Sequence, residues 1–132
     1  MINKTVKIIC VIMLTIFASC KKDIVDINSD FVGDWIGPDG NNYYSLTIEE
    51  NSNARYTEWA ENIITKEKKG ILRIDNDKIS MSRMYLFRVI EQPFLMDSLI
   101  TFMLHDHEQP VTWQMKLKLP KSFGGEEIVF YK

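Results

Sequence analysis

Between Val111 and Leu119 the chain alternates without a fault: Val111, Trp113, Met115, Leu117 and Leu119 are apolar, and Thr112, Gln114, Lys116 and Lys118 between them are polar. Side chains two apart on a strand share a face, so this stretch reads as a strand with one buried and one wet side. The register is strongly specified, because a slip of one residue would bury two lysines. Tyr44, Leu46 and Ile48 repeat the pattern against Ser45, Thr47 and Glu49. Shorter strands are expected over Phe31 to Ile36, Ala54 to Ala60, Gly70 to Asp75, Lys78 to Arg83, Tyr85 to Glu91, Ser98 to His105 and Glu126 to Tyr131. No sustained helical stripe competes with them. Trp59 and Ile63, four apart among good helix formers, leave a short helix open within Thr57 to Lys69.

Turn chemistry separates these runs at Gly37-Pro38-Asp39-Gly40-Asn41, Asn51-Ser52-Asn53, Asp75-Asn76-Asp77, Glu108-Gln109-Pro110 and Gly124-Gly125. Eight strands, or nine strand segments, joined by hairpin-length connections predict an all-β antiparallel meander. Such a sheet leaves two raw edges unless it closes, so a small eight-stranded barrel is the expected architecture.

Upstream of the strands the chain changes character. Lys4 and Lys7 precede a predominantly apolar run of ten residues, Ile8 to Phe17. A bilayer-spanning helix needs about 20 apolar residues, whereas the apolar core of a signal peptide needs about 7 to 15. A signal helix over residues 1–19, removed on export, is therefore expected.

The following Phe17-Ala18-Ser19-Cys20 resembles the lipobox of bacterial lipoproteins: a bulky apolar residue, two small ones, then the cysteine that takes the lipid. Leucine is usual where Phe17 stands. The resemblance implies that Cys20 becomes the lipidated first residue of the mature chain and that its partner is a membrane. Cys10 would leave with the leader, so the exported chain would hold one cysteine and no internal disulfide. Acyl chains bury about 0.8 kcal/mol per methylene, so a di- or triacylated cysteine would anchor the protein permanently. Lys21-Lys22-Asp23 with Asp26 is similar to the tag of some Bacteroidetes surface lipoproteins and equally reads as a solvated linker. The expected localisation is the bacterial envelope, at the outer membrane, with either face open. The chain divides into a signal peptide (1–19), a lipidated cysteine and tether (20–29) and a β-domain (30–132).

Losing Lys4 and Lys7 moves the formal charge from −2 to −4. That balance disfavours nucleic acid, and the basic stretches Lys66-Glu67-Lys68-Lys69 and Lys116, Lys118, Lys121 are interrupted by acids or apolar residues.

Gly33-Asp34-Trp35, at the start of the first strand, resembles the Gly-x-Trp motif of lipocalins. In that family the tryptophan closes one end of the barrel and a basic residue of the last strand lies over its ring, a place Lys132 could take here. The layout resembles the short lipocalin-like lipoproteins of Bacteroidetes along nearly the whole mature chain. It departs from lipocalins in lacking their Thr-Asp-Tyr motif and paired cysteines, in using Lys rather than Arg, and in its length.

Inward positions on this register include Trp35, Tyr44, Met81, Phe87, Phe102, Trp113 and Met115. An eight-stranded barrel is just wide enough to be filled by such side chains or to hold one small ligand. The candidate apolar ligand site is Tyr44, Phe87, Phe102, Trp113 and Met115, with the Tyr43, Tyr44 and Tyr56 hydroxyls as orienting groups. The alternative is a filled interior and a module that works through its surface.

His105-Asp106-His107-Glu108 is a weaker candidate for zinc, since histidines two apart on a strand share a face. Alternation from Ile100, Phe102 and Leu104 puts both outward at a strand end. Glu49-Glu50 and Glu126-Glu127 are adjacent and point opposite ways, so neither is an acid–base couple. No Gly-x-Ser-x-Gly elbow or phosphate-cradling loop is present, and the methionines read as core filler. The expectation is a non-enzymatic protein without a cofactor.

Overall fold

The structure, a computed structural model, describes residues 27–132. The signal helix, Cys20 and residues 21–26 of the tether lie outside the described residues. After a 3-10 turn at Ser29–Phe31 come eight strands, β1 (Gly33–Asp39), β2 (Asn42–Ile48), β3 (Asn53–Ala60), β4 (Ile63–Asp75), β5 (Lys78–Met81), β6 (Tyr85–Leu104), β7 (His107–Lys118) and β8 (Glu127–Tyr131), with a second 3-10 turn at Lys121–Phe123 before β8. Each strand pairs antiparallel with the next, and β8 returns to β1 through Ile36 and Tyr131, so one sheet closes into a barrel-like ring. No helix among the described residues is long and apolar enough to cross a membrane.

Alternation set the faces. On β7, Val111, Met115 and Leu117 are buried and Trp113 packs against the core, while Lys118 is exposed and Lys116 reaches out to Glu127 at 3.6 Å. The interior is filled by side chains from every strand, among them Trp35, Leu46, Tyr56, Leu72, Ile79, Phe87, Met115 and Phe130, all without solvent exposure. Burial of each large apolar group is worth about 1.5–3 kcal/mol.

Three expectations are corrected, and one alternative left open falls away. The first strand begins at Gly33, because Ser29–Phe31 forms a 3-10 turn capped by the Asn28 side chain, which accepts from Asp30 N–H at 3.1 Å. The Thr57 to Lys69 stretch is a hairpin with no helix: Ala60 pairs with Ile63 and Trp59 with Ile64 across a turn in which Glu61 has φ 56°. The segments Tyr85 to Glu91 and Ser98 to His105 are one strand, β6, so the nine segments join into the eight strands expected, all among the described residues. The turn expected at Glu108-Gln109-Pro110 falls instead at His105-Asp106, both with positive φ, 50° and 63°. That is the geometry of a two-residue hairpin whose twist matches its strands. Pro110 lies inside β7, opposite Thr101, where β8 has already ended and no second ladder needs its missing N–H.

Both ends of the ring are plugged. At the end where β1 begins, Phe31 is buried and its carbonyl accepts from Trp35 Nε1 at 2.8 Å. At the opposite end, where β8 begins, the second 3-10 turn drives Phe123 inward. Its ring stacks on Tyr56 at 4.3 Å and Tyr85 at 4.7 Å. Lys66 Nζ holds that turn by donating to Ser122 O at 2.8 Å.

Candidate functional site

Three places collect the residues singled out by the sequence: the interior, the ring end around Lys132, and the tip of the β6–β7 hairpin.

In the interior, Phe87 and Met115 are fully buried, and the Tyr56 ring lies against Phe87 at 5.7 Å. Tyr44 is half-buried with its hydroxyl donating to Asp39 Oδ2 at 3.4 Å. Trp113 sits at the margin of the core. Phe102 does not join them. It belongs to the far half of β6 and rests on Tyr131, 5.1 Å between centroids, outside the ring. The five residues of the candidate ligand site therefore do not line one pocket, because β6 leaves the ring before Phe102 is reached.

Tyr56 donates its hydroxyl to Glu58 Oε1 at 2.7 Å. Burial, reinforced by the acceptor and charge of Glu58, pushes its phenol well above the ordinary tyrosine range. A raised folded-state value means that this contribution to stability is complete below about pH 10, where the unfolded tyrosine still holds its proton, and is lost as the pH rises further. Tyr56→Phe is accordingly expected to flatten the loss of stability above about pH 10 seen in urea titrations, while costing about 1 kcal/mol at neutral pH. An alkaline limb identical in both proteins would rule this out.

At the ring end, the Lys132 ammonium lies between two indoles, 4.8 Å from the Trp35 ring centroid and 4.9 Å from that of Trp113. It also donates to the carbonyls of Asp30 and Val32, each at 2.6 Å. Burial lowers the pKa of this amine, partly offset by Asp30. Gly33 makes room for it. At φ 137° an added Cβ would stand 3.0 Å from Lys132 Cδ, so the Gly-x-Trp spacing couples a backbone that favours glycine to the cation over the ring. The main chain of Lys132 is held as well, its N–H donating to Trp113 O at 3.0 Å and its carbonyl accepting from Thr112 and Trp113.

At the hairpin tip the arrangement differs from a strand end with two histidines on one face. His105 is in the turn and His107 opens β7 opposite Leu104. The His105 ring packs edge-on against Trp59 at 4.8 Å and Tyr43 at 5.7 Å, and its Nε2 shares a hydrogen bond with the Tyr43 hydroxyl. Tyr43 and Trp59 are cross-strand partners stacked at 5.3 Å. His107 is exposed, and among the described residues no group of three or more His, Cys, Asp or Glu could hold a metal ion. The aromatic stack escaped the sequence reading, although Tyr43 alternates with inward Tyr44 and Leu46. A large aromatic at an outward position was the available sign that something covers that face.

Depressions occur on the outside of the ring. One of about 580 Å³ runs over a cross-strand row of Asp34, Thr47, Arg55 and Lys69. Another, of about 570 Å³, lies between the hairpin tip and the β1–β2 turn, lined by Pro38, Tyr43, Glu61, Phe102 and His105. None of the large, fully buried side chains that fill the ring lines either of them. No protein-family model, curated protein or solved structure matches this chain.

Proposed function

We propose that this protein is a lipid-anchored lipoprotein of the bacterial envelope, whose lipocalin-like ring serves as a solid interaction or accessory module and not as a carrier of small apolar ligands. The observation that carries the choice between module and carrier is the interior itself. Trp35, Tyr56, Phe87, Met115 and Phe130 are all without exposure, and Phe31 and Phe123 stop the two ends. A carrier of a small molecule needs a concave apolar pocket of about 300–1,000 Å³. Here the side chains occupy the space such a pocket would take, so recognition falls to the outer surface. The lipocalin-like reading is supported by Gly33, Trp35 and Lys132 converging at one end. The lipoprotein reading is supported by the apolar leader and Phe17-Ala18-Ser19-Cys20.

The anchor is tested by growing bacteria that express the full chain with an alkyne analogue of palmitate. The wild-type protein is expected to take the label and to sediment with membranes. Cys20→Ser is expected to reduce label by at least about ten-fold and release the protein, since the acyl chains supply the attachment. Label retained in the variant would overturn the reading. For the interior, native mass spectrometry of residues 20–132 from cell extract is expected to give the mass of the bare chain, and a bound small molecule of constant mass would restore the carrier reading.

A further inference from the structure

The far half of β6, which leaves the ring, is a long stretch to which the proposed module gives no role. Its pairing with β5 ends at Arg88, and Val89 N–H makes a last contact with Asp77 O at 2.6 Å. From Ile90 to Leu104 the strand is paired with β7 alone, and among the described residues no strand lies along its other edge. Its ladder with β7 slips at three places, between Val89 and Glu91, between Glu91 and Phe94, and between Leu95 and Ile100, β6 carrying the extra residues each time. Such bulges bend a strand and re-aim its side chains. The bent stretch presents Ile90, Phe94, Leu95, Leu99 and Met103 to solvent, the last three more than 60% exposed. From Val89 to Met115 the chain has no lysine and no arginine, and its charges are the acids Glu91, Asp97, Asp106 and Glu108.

Apolar groups standing out of a strand with a free edge need a cover. Where the tether enters limits what the cover is. The 3-10 turn at Ser29–Phe31 packs against β6, so the chain leading back to Cys20 reaches the domain beside this strand. Six residues lie between Cys20 and Ile27, and the seven steps from one to the other reach at most about 25 Å in an extended chain. A lipid on Cys20 would thus keep the apolar stretch of β6 within reach of the bilayer at high effective concentration, where even weak insertion is sufficient.

We propose that the bulged stretch of β6, centred on Phe94, Leu95 and Leu99, rests in the interfacial layer of the membrane that holds the anchor and fixes the orientation of the ring. This rests on the lipoprotein reading for its place in the cell, but the contact itself is testable without cellular lipidation. The lipid favoured is phosphatidylethanolamine. Its ammonium offers partners for Glu91 and Asp97, whereas anionic headgroups would be repelled by these acids in a segment with no lysine or arginine.

Residues 20–132 contain every core residue of the ring and one cysteine, so Cys20 can be coupled to a maleimide lipid in phosphatidylethanolamine–phosphatidylcholine vesicles, with or without brominated acyl chains. Two variants carry the reporter: Phe94→Trp in the proposed contact and Met84→Trp at the exposed turn before β6. After subtraction of the emission that Trp35, Trp59 and Trp113 give in the unsubstituted protein, the indole introduced at 94 is expected to lose at least about half of its emission to bromines near the acyl boundary, and that at 84 to lose little, because interfacial burial reaches about 5–10 Å. Replacing part of the phosphatidylethanolamine by phosphatidylglycerol is expected to weaken the quenching at 94. Equal quenching at both positions, or none at 94, would overturn the proposal. So would a dimer of uncoupled residues 20–132 that already shields position 94 in the absence of vesicles, since the cover would then be a second copy. None of these outcomes bears on whether Cys20 is lipidated in cells, which the palmitate experiment reads separately.

Discussion

Trp35→Ala is expected to remove about 3–5 kcal/mol of stability, the range for truncating a large buried aromatic, read as a fall in the urea midpoint at unchanged slope. Three things go at once. The indole is wholly buried and its loss opens a void at the ring end. The Phe31 carbonyl loses the N–H that reaches it at 2.8 Å. The Lys132 ammonium loses one of its two aromatic faces, a contribution of about 0.5–1 kcal/mol or more when desolvated. Trp35→Phe separates these effects, since it keeps an aromatic face and most of the volume while deleting the N–H, and is expected to cost much less than the alanine. A loss below about 1 kcal/mol for Trp35→Ala would mean that this end of the ring is not the plug described.

The second large effect concerns closure. β1 and β8 meet through the Ile36–Tyr131 pair, and next to it Gly37 lets the chains come close. A Cβ there would stand 2.6 Å from Ile128 Cγ2 and 3.0 Å from Phe130 Cε1. Both contacts are with the body of buried side chains, which have no room to swing aside. Gly37→Val is therefore expected to cost about 2–3 kcal/mol through overpacking and to loosen β8 selectively. Hydrogen exchange would report it as faster exchange in β8 and β1 than in β2 and β3. Uniform protection in all strands, with an unchanged urea midpoint, would show that the seam tolerates the added bulk.

Much of the fold was legible because strand periodicity is local. Each of Tyr44, Leu46 and Ile48, or Met115 and Leu117, declares its face from its immediate neighbours, and the structure puts Leu46, Ile48, Met115 and Leu117 in the core. The antiparallel order followed from connections too short for crossovers. The His105-Asp106 turn was missed because neither residue belongs to the Asn-Gly class that normally announces a two-residue hairpin, and Glu108-Gln109-Pro110 offered stronger local turn chemistry. That misplacement carried the histidine reading with it. The join between the two halves of β6 was hidden by Pro93 and by Asp97-Ser98, which look like punctuation but sit in a strand whose bulges absorb them.

The candidate interior site failed at Phe102 for a related reason. Alternation counted from Ile100 assigns Phe102 the same face as Leu104, which is right locally. Three bulges earlier in the strand break the link between that face and the inside of the ring. Conversely, Lys132 over Trp35 joins residues nearly a hundred positions apart, and a family resemblance in Gly33-Asp34-Trp35 led to it where spacing could not.

By itself the amino-acid sequence determined that the described residues form an all-β domain, where most of its strands run and which side of each regular strand is oily, since those properties depend on contacts within a few residues. Only the tertiary structure decided that Phe31 and Phe123 are buried at opposite ends of the ring, that the hairpin beyond Val89 leaves the ring, and that His105 covers Tyr43 and Trp59. Each of these depends on how strands far apart in the chain stagger and bend, and that is set by the summed packing of the whole ring.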